Sequence, residues 1–363
     1  MKKVLVVDDS ALMRKLLTGV LVEGGYEVRS ARHGAEGVEM VVQWQPDVVT
    51  LDINMPEMDG LTALSLIMAA RPTPVIMVSS LTEKGALATF EALALGAVDF
   101  IPKPGGTISL HVEDIKSMLL DKVRSASRAH LSAARLAVAR PASKAAPKSA
   151  PGPVAAARTG TATAGRICLA DPSLAGLVMI GVSTGGPRTL EDILPRLPAN
   201  FPWPILVAQH MPANFTDTFA RRMDGLCAVK VLEVAGPLAL SPGHVYIGRG
   251  GTDVTVTDRA GVLHAAPRPE SPAVLWHPSV EMMVDSAMKH LPPQRLVGVM
   301  LTGMGNDGAA AMARLHAAGG RTIAESADTA VVFGMPHELI ELRGASLVLP
   351  CTGIAAQLRA WLP

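Results

Sequence analysis

Short apolar runs recur along this chain, and each gives way at its carboxyl end to a residue able to carry chemistry. In the first third they are Lys3–Val7 before Asp8 and Asp9, Val48–Leu51 before Asp52, Pro74–Val78 before Ser79 and Ser80, and Val98–Ile101 before Lys103 and Pro104. Tyr26–Ala31 reads as one further strand. Between the runs, Leu12, Leu16, Leu17 and Val20, then Val38, Val41 and Val42, fall at helical spacing. Strands apolar on both faces that alternate with helices predict a parallel sheet covered on both sides. A second alternation follows Arg166, with runs at Leu177–Val182, Ile205–Ala208 and Arg295–Leu301. The expected fold class is α/β, in two doubly wound parallel-sheet domains. Ser241–Ala266 alternates like a strand pair, with Gly248, Gly250, Gly251 and Gly261 at turns, and reads as an antiparallel hairpin excursion from the second domain.

A compositional break separates the two alternations. Ser125–Gly165 holds 15 Ala, 4 Pro and 6 Lys/Arg with no acid and no aromatic residue, so it has little to bury. Helical spacing from Val112 continues into its start, and Pro141, Pro147, Pro151 and Pro153 stop it. The expected layout is a domain at 1–120, a flexible basic linker at 121–165 and a catalytic domain at 166–363. The 363 residues carry a net charge of +1, which excludes polyanion binding by bulk electrostatics. Three cysteines without a Cys-x-x-Cys exclude a disulfide scaffold and a cysteine zinc knuckle. The apolar stretch after Met1-Lys2-Lys3 is too short for a signal peptide, and no run approaches a membrane span. The expectation is a cytoplasmic protein with no membrane insertion and no nucleic-acid partner.

Ligands of doubly wound sheets sit at the carboxyl ends of the strands. In the first domain those ends present Asp8, Asp9, Asp52, Ser79 and Lys103. A single acid at a loop tip is ordinarily just solvated. Three carboxylates at neighbouring strand ends repel one another, and a hard divalent cation such as Mg²⁺ relieves them. An ammonium and a hydroxyl beside them suit phosphoryl transfer. The segments Val6-Val7-Asp8-Asp9-Ser10, Leu51–Gly60 and Phe100-Ile101-Pro102-Lys103-Pro104 closely resemble the response-regulator receiver domain, which is flavodoxin-like. The resemblance implies that Asp52 accepts a phosphoryl group from a sensor histidine kinase. It implies that Asp8, Asp9, Asp52 and the Asn54 backbone carbonyl hold Mg²⁺, and that Ser79, Phe100 and Lys103 are the switch residues.

In the second domain, Gly181-Val182-Ser183-Thr184-Gly185-Gly186-Pro187 is a Gly-x-Ser-x-Gly at a strand-to-helix turn. Such turns also bind phosphate, and a serine there often caps the helix. His210 and Asp307 stand at the ends of two further predicted strands. A hydroxyl becomes a nucleophile when an imidazole takes its proton and a carboxylate orients that imidazole. The order Ser, His, Asp differs from that of α/β-hydrolases, which excludes that family but not the chemistry. Asp307 otherwise reads as a cap for a helix starting near Ala309. Met282, Met283 and Met288 read as core filler on a helix.

The stretches Gly181–Pro187, Gln209-His210-Met211, Pro278-Ser279-Val280, Leu301–Gly308, Ala324-Glu325-Ser326 and Gly334-Met335-Pro336 resemble the chemotaxis protein-glutamate methylesterases, whose catalytic domain is a Rossmann-like α/β fold. With the receiver, the resemblance spans essentially the whole chain. It implies hydrolysis of glutamate γ-methyl esters on chemoreceptor cytoplasmic helices, with glutamine deamidation as a further activity and no cofactor for the esterase. Ser183 would be the nucleophile, His210 the base and Asp307 the orienting acid; the Met304 amide would be the oxyanion donor, with Thr184 beside the nucleophile. Glu281 stands where the family pattern has Asp. The resemblance also implies that the unphosphorylated receiver packs over the catalytic face. Two other readings stay open on residues alone: a binding module with an inert triad, and a DNA-binding regulator. The latter needs a basic recognition helix, whereas residues 166–363 are α/β with net charge −1.

Overall fold

A computed structural model describes residues 1–80, 82–103, 112–129 and 174–362. From residue 130 on, the basic Ala- and Pro-rich segment lies outside the described residues, as does Cys168.

The N-terminal unit runs β1 (Lys3–Val7), α1 (Ala11–Glu23), β2 (Glu27–Ala31), α2 (Gly34–Trp44), β3 (Val48–Asp52), α3 (Gly60–Ala70), β4 (Val75–Ser79), α4 (Glu83–Ala94), β5 (Asp99–Pro102) and α5 (Val112–Ala126). Its five strands pair in parallel in the order β2-β1-β3-β4-β5. β3 and β4 are buried along their whole length, as their unbroken apolar runs predict. Short polar side chains start the helices: Ser10 Oγ accepts from the Met13 amide, and Asp59 from Thr62. α5 continues through the first residues of the basic segment, burying Val123 and Ala126.

The C-terminal unit runs β6 (Leu177–Val182), α6 (Gly186–Ile193), β7 (Ile205–Gln209), α7 (Ala213–Leu226), β8 (Lys230–Val234), β9 (Leu238–Ala239), β10 (His244–Gly248), β11 (Asp253–Arg259), β12 (Val262–Arg268), α8 (Val280–Met288), β13 (Leu296–Met300), α9 (Ala309–Ala317), β14 (Arg321–Glu325), α10 (Met335–Glu341), β15 (Leu347–Leu349) and α11 (Cys351–Trp361). Seven of its strands form a parallel sheet in the order β15-β14-β13-β6-β7-β10-β8. The chain leaves β6 for β7 on one side and reaches β13 on the other, so the strand order reverses around β6. Crevices at such reversals hold ligands.

The hairpin is shorter than the sequence predicts. β11 and β12 pair antiparallel, and β9 adds a third strand antiparallel to β12. β10, expected within the excursion, lies parallel between β7 and β8 in the main sheet. Its Val245-Tyr246-Ile247 core is buried on both faces, the condition for a central parallel strand. Met283 is fully buried on α8, as core filler should be.

The two units meet along α4, β5 and α5 of the first. Phe90 and Phe100 pack against Phe215 of α7, with the Phe100 and Phe215 ring centroids 4.4 Å apart, and Phe90 also meets Phe219. Val331, Val332 and Met304 complete an apolar cluster with Val123 and Ala126. At the centre of the seam the Thr184 hydroxyl donates to Asp99 Oδ2 at 2.7 Å, and Lys122 Nζ lies 2.7 Å from Asp99 Oδ1.

Candidate active site

Ser183, His210 and Asp307 follow β6, β7 and β13, three neighbouring strands of the larger sheet. Ladder hydrogen bonds fix the first two: Ser183 N–H donates to the Thr302 carbonyl, and His210 N–H to Val182. Gln209 Nε2 donates to the carbonyls of both Ser183 and His210, at 3.0 and 3.1 Å, and ties the two strand ends together. Ser183 does not cap α6. That place belongs to Gly185, at φ 80°, where a side chain would be strained and would run into Val331. Among the described residues the serine hydroxyl makes no hydrogen bond at the elbow.

Asp307 does not cap the helix that follows it. Gly308 occupies that place on α9. The Asp307 carboxylate turns instead to the start of α8, accepting from the Val280 amide at 2.7 Å, the Glu281 amide at 3.1 Å and the Ser279 hydroxyl at 3.1 Å. Its Oδ2 also meets His210 Nε2 at 2.9 Å. Burial alone would raise this carboxyl; the His210 hydrogen bond and charge, with the two amides, outweigh it and hold Asp307 below the usual carboxylate range. The other His210 nitrogen, Nδ1, is buried with no hydrogen-bond partner among the described residues. Among the described residues no hydrogen bond joins Ser183 to His210. Glu281 is committed elsewhere, its carboxylate accepting from the Ala311 amide and pairing with Arg314.

Met304 sits in the loop after β13, and its sulfur accepts a 2.8 Å contact from the Ser125 hydroxyl of α5. Two features of the site were beyond sequence reasoning. The helix whose amides hold Asp307 is remote in sequence, and no local signal connects them. Trp276 stacks on His210 with ring planes 4° apart; a tryptophan in a Pro-containing loop carries no periodicity to flag it.

In the N-terminal unit, oxygens of Asp8, Asp9 and Asp52 lie within 4.8 Å of one another. Lys103 Nζ reaches Asp52 at 2.7 Å and Asp8 at 3.2 Å. Burial pushes the Asp52 carboxyl up to about 6 against the pull of Lys103, and the Asp8 charge adds to the rise. Burial works against the Lys103 charge, but Asp52 and Asp8 hold its ammonium above the ordinary value. The acid-rich, oxygen-only donor set fits a hard dication such as Mg²⁺. Asn54 N–H donates to Asp52 Oδ1 at 3.3 Å and holds the Asn54 backbone beside the cluster. The Ser79 hydroxyl donates to the Gly85 carbonyl at 3.1 Å, and Phe100 lies in the seam between the units.

Fold and site thus define a receiver joined to a second parallel α/β unit that carries a serine, a histidine and an aspartate at neighbouring strand ends. Residues 4–113 match the family model of the response regulator receiver domain, and residues 178–358 match that of CheB methylesterase. The chain is 53% identical over its whole length to protein-glutamate methylesterase/protein-glutamine glutaminase 3 of Rhodospirillum rubrum, covering 96% of that protein. It is 52% identical to protein-glutamate methylesterase/protein-glutamine glutaminase 2 of Rhodopseudomonas palustris, over 99% of this chain and 98% of that one. Among solved structures it is similar to the CheB methylesterase catalytic domain of Thermotoga maritima, at 38% identity over 50% of this chain and 96% of that one, with a TM-score of 0.49. The chain belongs to the CheB family of protein-glutamate methylesterases/protein-glutamine glutaminases, hydrolases that here carry a receiver domain. Among the described residues no helix is long and apolar enough to cross a membrane.

Proposed function

We propose that Ser183, His210 and Asp307 hydrolyse glutamate γ-methyl esters, and the corresponding glutamine amides, on cytoplasmic helices of chemoreceptors, and that phosphorylation of Asp52 relieves inhibition by the receiver. The observation that carries the catalytic reading is the His210–Asp307 hydrogen bond of 2.9 Å beside an uncommitted serine. With Nε2 held by Asp307, the buried and unpartnered Nδ1 is the atom left to take the Ser183 proton. Ser183 Oγ then attacks the side-chain carbonyl, and the negative oxygen is received by the Met304 amide. His210 returns the proton to the departing methanol or ammonia. Water, activated by the same imidazole, releases the glutamate and restores the serine. No cofactor takes part in this half of the chain.

The regulatory reading rests on the seam. The receiver packs on Thr184, which follows the nucleophile, and on the side chain of Met304, whose amide is the oxyanion donor, so a receptor helix bundle has no room to approach. Asp8, Asp9, Asp52 and the Asn54 carbonyl would hold Mg²⁺, which when bound neutralises charge on a transferring phosphoryl group. A sensor histidine kinase is the donor. Phosphorylation adds charge at Asp52, draws Ser79 from Gly85 and lets Phe100 repack, loosening its contact with Phe215. The test is methanol release from a methylated receptor, with and without a small phosphodonor. Both readings predict release that rises with phosphodonor and disappears in Ser183→Ala; release unchanged by Ser183→Ala overturns the triad.

A further inference from the structure

We infer that Trp276 is a positioning residue for His210, holding the imidazole plane at the angle from which it exchanges a proton with Ser183. The inference rests on the proposed role of His210 as base. The two rings lie 5.8 Å apart between centroids and 4° from parallel, a laterally offset parallel stack. One hydrogen bond, Nε2 to Asp307, restrains the imidazole at a single point and leaves it free to swing about that bond. A flat ring packed parallel beside it limits the swing.

Trp276 is itself fixed from two sides. The loop that carries it is fastened to Asp253, a fully buried carboxylate at the start of β11. Asp253 accepts from the Ser271 amide at 3.2 Å, from the Ser279 amide at 2.9 Å and from His277 Nδ1 at 3.0 Å, so the anchors lie before and after the tryptophan. On its edge the indole presses on Gly305, whose φ is 86° and where a Cβ would stand 2.9 Å from the ring. The same short loop delivers Ser279, whose hydroxyl donates to Asp307. One fastening at Asp253 therefore sets both the partner over the imidazole and a partner of the carboxylate behind it. The indole offers the reaction no group of its own beyond an N–H donor.

The test uses the full chain treated with a small phosphodonor, and compares Trp276→Ala, Trp276→Phe and Trp276→Leu with wild type. Two rates are read: turnover of a glutamyl-methyl-ester receptor peptide, and labelling of Ser183 by a fluorophosphonate, a small probe that reports nucleophile activation without a receptor contact. Loss of the stack should lower kcat in Trp276→Ala by at least about tenfold, towards the hundredfold that a misplaced catalytic group costs. KM should stay within twofold of wild type, labelling should slow in parallel, and Phe should restore both rates to within about threefold. Should the alanine variant not fold, the Phe and Leu pair decides, since both fill the space and only Phe is flat. Equal rates for Phe and Leu overturn the inference, as does a raised KM with kcat and labelling unchanged, which would make Trp276 a substrate contact. Undiminished turnover in Ser183→Ala overturns the triad and the inference with it, a result distinct from failure of the Trp276 variants alone.

Discussion

Asp99 of the receiver accepts a 2.7 Å hydrogen bond from Thr184, the residue after Ser183 in the elbow. Both side chains are buried, and Asp99 immediately precedes Phe100, whose ring packs on Phe215 across the same seam. The receiver unit is thus hydrogen-bonded to the backbone neighbour of the serine proposed as nucleophile in the other unit. A hydrogen bond to a charged group contributes about 1.5–3 kcal/mol, and about 1.4 kcal/mol is tenfold in an equilibrium. Asp99→Ala should therefore raise ester hydrolysis by the unphosphorylated full chain about tenfold or more. Methanol release measured without phosphodonor checks this, and a basal rate equal to wild type would show that the bond does not hold the receiver down.

A fragment beginning near Arg166 should hydrolyse receptor esters faster than the unphosphorylated full chain. Phosphodonor should stimulate the full chain and leave the fragment unchanged. Covalent attachment keeps the two units at high effective concentration, so even a weak seam stays mostly closed. Equal rates for fragment and unphosphorylated chain would replace obstruction with positive stimulation by the receiver.

Asp307→Asn should lower kcat less than Ser183→Ala, because it misorients the imidazole and leaves the nucleophile in place. It should also destabilise the fold, since one carboxylate oxygen becomes an NH₂ among the Val280 and Glu281 amides and the Ser279 hydroxyl. Leaving a buried donor unpaired costs about 1–3 kcal/mol. Thermal unfolding measured beside turnover separates the two effects; an unchanged melting temperature would mean that the helix start does not depend on this charge.

Asp52 has a native value of about 6 against an ordinary 3.8, so the folded state binds this proton more tightly than the unfolded chain does. Stability from this group is complete below the ordinary value and is lost as pH rises through the native one. In EDTA at pH 7, Asp52→Asn should stabilise the protein by about 3 kcal/mol, a gain that shrinks away below about pH 4. Mg²⁺ should then stabilise the wild type and not the variant. Denaturant melts at the two pH values provide the measurement, and a variant less stable than wild type at pH 7 contradicts the prediction.

Much of this was legible in the sequence, because parallel sheets write their sites at strand ends. Asp8, Asp52 and Lys103 each follow an apolar run, and so do Ser183, His210 and the Asp307 loop. Contacts between segments far apart in sequence were not legible. For Asp307 the sequence offers a cap on its own helix as the alternative to an orienting acid because only local caps leave a local signature, whereas its amide partners belong to α8. β10 was read as hairpin because alternation with glycines does not reveal which sheet a strand joins. The Thr184–Asp99 bond depends on how two separate units dock, which no pattern within either unit encodes.

The seam between the units also has a thermal character. Aromatic residues make up only 3% of the chain, and Phe90, Phe100, Phe215 and Phe219, four of its six phenylalanines, meet there. Parting the units would wet those rings, and exposing apolar surface raises heat capacity. The attraction that keeps the receiver seated therefore weakens as temperature falls. At a fixed level of phosphorylation, the esterase should be held less tightly shut in a cold cell than in a warm one.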